Sequence, residues 1–128
     1  MVCLIDTNVI IRFLAADVEA LHLESVAIFN KIYHNELQVE ILGEVLMEVL
    51  FVMKGIYKES KSETVESLKE ILSLRGVVNR DKYILIEALT IFCNKNIDFV
   101  DALICTKSKF EGYGKISFDK DVMKKCEK

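Results

Sequence analysis

The sequence predicts a parallel, doubly wound α/β sandwich, and three observations predict it. Short apolar runs alternate with longer segments of helical rhythm, the pattern of βα units. The first run, Val2–Ile5, is apolar at every position, as a strand covered on both faces reads. Acids fall where strands end and helices begin: Asp6 after the first run, Asp98 and Asp101 where a helix opens, Asp119 after the last run. In an open α/β sheet that edge is where ligands bind.

The elements follow in order. Val2–Ile5 is stopped by Asp6-Thr7-Asn8, a strand running into a helix that Val9 to Leu14 begins. Glu19 to Tyr33 repeats apolar residues at Ala20, Leu23, Ala27, Ile28 and Ile32 with a helical period. Leu37–Ile41 reads as a second short strand. Leu42 to Met53 is an apolar helix ending near Gly55. Its core stripe is Leu42, Val45, Leu46, Val49 and Met53 at 100° per residue. Met47 and Phe51 leave it apolar nearly all round, a property of helices buried on every side, here by a second subunit. Val65, Leu68, Ile71 and Leu72 mark an amphipathic helix that begins near Ser62 and ends before Gly76. Val77-Val78 is a short strand or an extended link. Lys82 to Cys93 and Phe99 to Phe110 are helices, Gly114–Phe118 is the last strand, and a short helix starts from Asp119.

The chain has 128 residues, enough for one domain with a core of its own, 52% of them hydrophobic and none of them proline. The longest apolar stretch, around Val45 to Met53, contains Glu48 and is far shorter than a membrane span. The N-terminus lacks the basic region of a signal peptide and meets Asp6 at once, so the expected location is the cytoplasm. Four cysteines stand at 3, 93, 105 and 126 with no zinc-ligand spacing. In a reducing compartment they read as small buried hydrophobes. A net charge of −3 argues against a protein that coats nucleic acid nonspecifically. From Thr106 onward, seven lysines face four acids, a modest patch suited to phosphates or a solvated helix face.

Each acid has two readings. Aspartate at a helix start is an ordinary cap, favoured by unpaired backbone N–H groups and the helix dipole. Asp6 or Asn8 suits the first helix, Asp98 with Asp101 resembles a capping box, and Asp119 suits the last helix with Asp121 complementing its dipole. Gathered at one edge, the same carboxylates repel one another unless a hard divalent cation, which prefers oxygen, compensates them. Glu48 lies at the border of its helix's core stripe, where a carboxylate wants a partner or a path to water.

Leu4-Ile5-Asp6-Thr7-Asn8-Val9-Ile10, Glu44 to Met53, Asp98-Phe99-Val100-Asp101-Ala102-Leu103-Ile104 and Ser117-Phe118-Asp119-Lys120-Asp121 together resemble the PIN-domain family, especially its VapC-type toxins, over essentially the whole chain. Cys105 stands where alanine is common in the family, and Val122 where an aromatic residue is usual. The resemblance implies a single domain over residues 1–128, a three-layer α/β/α sandwich with a short, mainly parallel central sheet. It implies a Mg²⁺- or Mn²⁺-dependent ribonuclease with Asp6, Glu48, Asp101 and Asp119 as catalytic and metal-binding acids. Thr7, Asn8, Asp98 and Asp121 would support them, and Arg12 and Lys120 would contact RNA. Expected partners are the RNA substrate, a small antitoxin encoded beside the protein, and a second copy of the chain.

Two other readings compete. The first is a PIN-like binding module with an idle site. The second is another Mg²⁺-dependent phosphoryl-transfer α/β protein. A haloacid-dehalogenase-type phosphatase wants a second aspartate where Asn8 stands, and a receiver domain wants adjacent acids early in the chain; neither is present.

Overall fold

The first strand, β1 (Val2–Leu4), pairs in parallel with β2 (Gln38–Glu40), Val2 opposite Gln38, Cys3 opposite Val39 and Leu4 opposite Glu40. The structure is a computed structural model that describes residues 1–127 and the side chains of all of these except Asp121. It forms two compact units, Met1–Arg80 and Asp81–Lys128.

In the first unit β1 leads to α1 (Thr7–Ala15) and α2 (Glu19–Tyr33); β2 leads to α3 (Gly43–Gly55) and α4 (Lys61–Leu72). Helix α1 packs on α2 and α3, and α3 packs on α4. Ile10, Ile32, Ile41, Leu46, Val49, Met53, Leu68 and Leu72 are fully buried. Each such side chain contributes about 1.5–3 kcal/mol relative to an exposed one. Ser60 opens α4 as a proper cap, its Oγ accepting the Glu63 N–H at 3.2 Å.

After α4 the chain returns to the sheet. Val39 forms a parallel bridge with Val77: its N–H donates to the Gly76 carbonyl at 2.7 Å and its carbonyl accepts the Val78 N–H at 2.9 Å. The Asn79 side chain then continues this ladder with the backbone of Ile41. Gly76 is required by close approach. A Cβ there would meet the carbonyl oxygens of Leu37 and Ile32, the second at 2.6 Å.

The second unit holds α5 (Lys82–Asn94), α6 (Phe99–Glu111) and α7 (Lys120–Glu127). Helices α5 and α6 pack together, with the rings of Phe92 and Phe99 edge to face at 5.9 Å. Gly112 ends α6 at φ +69°, the left-handed conformation that glycine takes without a Cβ penalty. No helix among the described residues is long and apolar enough to cross a membrane.

The α/β class and the short parallel sheet match the expectation from sequence; six readings are corrected. Val2 and Leu4 are exposed, so β1 is not covered on both faces. Helix α2 buries Ser25, Phe29 and Ile32, while Ala20, Leu23 and Ala27 of the expected stripe face solvent. Gly114–Phe118 forms no strand, and Ile116 and Phe118 are fully exposed, so the apolar residues that suggested one bury nothing. Leu42 lies outside the core stripe of α3, at the exposed position preceding it, because the helix begins at Gly43; Leu50 is buried instead. Asp98 precedes α6 in cap position, yet its side chain makes no capping hydrogen bond. Cys105 and Cys126 are joined in a disulfide, with Cα atoms 5.2 Å apart, well inside the usual span; Cys3 and Cys93 are free thiols.

Candidate acidic site and its surroundings

In the first unit the acids are Asp6 and Glu48. Asp6 leaves β1 in extended conformation and caps α1, its Oδ1 accepting the Thr7 N–H at 2.8 Å. Thr7 is buried; Asn8, in the first turn of α1, is exposed. Glu48 lies in the second turn of α3, the helix packed against α1, and points to solvent.

Arg12 is engaged rather than extended into solvent. Its guanidinium donates to Asp17 Oδ1 at 3.2 Å, while the Tyr57 hydroxyl donates to Asp17 Oδ2 at 2.8 Å. The Tyr57 hydrogen bond, aided by Arg12, holds the Asp17 carboxyl below its ordinary value of 3.8. The same hydrogen bond, with partial burial and the Asp17 charge, raises the Tyr57 hydroxyl above 10.0. His22 Nδ1–H donates to the Arg12 carbonyl at 2.9 Å, which fixes the tautomer because a carbonyl only accepts. Neither Asp17 nor Tyr57 carries a local sequence signal. They lie forty residues apart in the chain.

In the second unit Asp98 and Asp101 open α6, Asp98 exposed and Asp101 half-buried in the first turn. Asp119 caps α7: its Oδ1 accepts the Val122 N–H at 3.3 Å, and its own N–H donates to Ser117 Oγ at 3.0 Å. Lys120 begins α7 and is exposed. The side chain of Asp121 lies outside the described residues.

The donors are of the kind a hard divalent cation takes, all carboxylate oxygens. Among the described residues no cationic side chain pairs with Asp6, Glu48, Asp98 or Asp101. Also among the described residues, no group of three or more His, Cys, Asp or Glu side chains forms a set able to hold a metal ion. The chemistry of the acids fits a hard cation.

The family model of the PIN domain matches residues 3–128, a span that includes every acid named above. No curated protein and no solved structure matches the chain.

Proposed function

Because this chain belongs to the PIN domain family, whose members are in general metal-dependent nucleases that bind RNA, we propose that it is a Mg²⁺- or Mn²⁺-dependent endoribonuclease. We read it as the toxin of a VapC-type toxin–antitoxin pair, acting in the cytoplasm as one domain over residues 1–128. The observation that carries this reading is the family match from residue 3 to residue 128, a span that includes Asp6, Glu48, Asp101 and Asp119.

A bound divalent cation lowers the pKa of water and neutralises charge on a phosphate. Asp6 and Asp101 would hold it directly, and Glu48 and Asp119 directly or through water, since Mg²⁺ keeps several waters. Thr7 and Asn8, beside Asp6, would orient the attacking water or the phosphate. Asp98 and Asp121 would add negative charge at the two helix starts. Lys120 would meet the RNA backbone. Arg12 would act with Asp17 already bound to it, so its charge toward RNA would be partly offset.

The exposed face of α3, where Phe51 is 79% exposed and Met47 41%, would bind a second copy of the chain. An antitoxin arginine reaching the carboxylates would replace the cation through charge-assisted hydrogen bonds. One observation favours the second reading, an idle PIN-like binding module: the described acids do not stand as a metal-holding group.

Cleavage of a mixed RNA pool with Mg²⁺ or Mn²⁺, beside EDTA and Asp101→Asn controls, separates the two. Cleavage lost in both controls supports the nuclease. Cleavage that survives Asp101→Asn places the chemistry elsewhere, and metal binding without cleavage supports the binding module.

A further inference from the structure

The short helix α7 is weakly held by its own sequence. Eight residues are too few for a helix that stands alone in water, and among its described side chains only Val122 is buried. Its start is capped by Asp119. Its last turn is tied down three ways: the Cys105–Cys126 disulfide to α6, a Lys95 Nζ bond to the Lys125 carbonyl at 3.1 Å, and a Lys125 Nζ bond to the Asn96 carbonyl. The disulfide is the only covalent tie among them.

That bond is also reachable. Cys105 and Cys126 line an open cleft of about 530 Å³ in the second unit, together with Lys95, Lys109 and Lys115. Two acids, Glu87 and Glu127, line it as well, so the cationic excess is small. Of the two half-cystines Cys126 is the more exposed; Cys105 is buried. Ammonium groups beside a disulfide favour an approaching thiolate and stabilise the thiolate that leaves.

We propose that Cys105–Cys126 is a thiol–disulfide exchange site, and that its reduction by a dithiol releases α7 together with Asp119 at its start. A thiolate of the dithiol attacks Cys126 Sγ, the bond to Cys105 breaks, and Cys105 leaves as a thiolate. The second thiol of the reductant then displaces Cys126 from the mixed disulfide. Two electrons and two protons pass to the protein, giving two cysteine thiols and an oxidised dithiol. In a reducing cytoplasm a disulfide is a transient or redox-sensing element rather than a static staple. The role of Asp119 as an acid of the nuclease rests on the proposed function; the exchange site and the release of α7 do not.

The test uses the full chain without RNA or metal. Alkylation of denatured protein that was never reduced should label two cysteines, Cys3 and Cys93, and four after dithiothreitol. Hydrogen exchange of the α7 amides should then accelerate on the order of ten-fold or more, because they open locally. Those of α5 and α6 should change little. Cys126→Ser should reproduce the reduced pattern under oxidising conditions. Four labelled cysteines in protein pre-treated with a disulfide oxidant would overturn the exchange site. Unchanged α7 exchange after complete reduction would overturn the release. Either result leaves the nuclease reading to its own assay.

Discussion

Asn79 and Ile41 exchange two hydrogen bonds: the Ile41 N–H donates to Asn79 Oδ1 at 2.8 Å, and Asn79 Nδ2 donates to the Ile41 carbonyl at 2.7 Å. A side-chain amide thus does for Ile41 what a neighbouring strand's peptide does in a ladder. Both residues are buried, and the Asn79 amide is the right length and polarity to satisfy both backbone groups.

Asn79→Ala should therefore destabilise the protein by about 2–4 kcal/mol, since it leaves a buried donor and a buried acceptor without partners. Asn79→Asp should recover less than half of that loss at neutral pH, because a carboxylate accepts from the Ile41 N–H and only repels its carbonyl. Urea unfolding of the three proteins checks both statements.

Gly76→Ala should cost about 1–3 kcal/mol or more, because the new Cβ meets two backbone carbonyls rather than flexible side-chain ends. Gly114→Ala, where nothing lies within 4 Å, should stay within about 0.5 kcal/mol of the wild type. Comparable thermal midpoints for the two variants would contradict the close approach.

The Asp17–Tyr57 bond should act only while Asp17 is ionised and Tyr57 protonated. Asp17 titrates below its ordinary value in the folded state, so its contribution is present above about pH 4 and fades as pH falls through the lowered value. Tyr57 titrates above 10.0, so its contribution is present below that pH and fades as pH rises through the raised value. The difference in melting temperature between wild type and Tyr57→Phe should be largest in the plateau between and shrink at both ends. A difference independent of pH would show that the ring packs but its hydroxyl does not matter.

If the nuclease reading holds, Glu48→Gln should lower metal affinity or cleavage by roughly 10- to 100-fold, the range for a partner acting near a bound ion. Folding should be unaffected, because Glu48 is exposed. Titration with Mn²⁺ followed by electron paramagnetic resonance reads the affinity without RNA.

If the proposed pairing of two copies through α3 holds, Phe51→Arg should shift the protein toward monomer in sedimentation, since it places a charge in the exposed apolar face of that helix. Equal sedimentation of the two proteins would count against that pairing. The variant should keep the melting behaviour of the monomer.

Features set by local sequence could be read in advance; features set by distant partners could not. Glu19 to Tyr33 has the same bounds in sequence and structure but not the same buried face. Of the positions in its apolar repeat only Ile32 is buried; Ala20, Leu23 and Ala27 are exposed, and Ser25 and Phe29 face the core instead. The caps at Asp6 and Asp119 were legible because each bonds within three residues of itself. Asp98 looked like an equally good cap and makes no such bond; side-chain orientation, which sequence does not encode locally, decides. The strand reading of Gly114–Phe118 failed for want of anything to cover Ile116 and Phe118. The Cys105–Cys126 bond spans 21 residues and the Asp17–Tyr57 bond 40, separations with no periodic signature. The candidate acids were legible as motifs, since each motif is local. Their grouping depends on chain segments far apart, which no motif describes.

The stitching of Gly76–Asn79 into the sheet divides the α4–α5 connection into two stretches that differ in evolutionary freedom. From Gly76 to Asn79 every residue has an assigned hydrogen bond or a filled space, so an insertion there would pull the amide away from Ile41. At Arg80 and Asp81, both exposed, the chain leaves the sheet before α5 begins. Lineages of this protein should therefore vary in loop length after Asn79 and keep a fixed count of residues from Gly76 to Asn79.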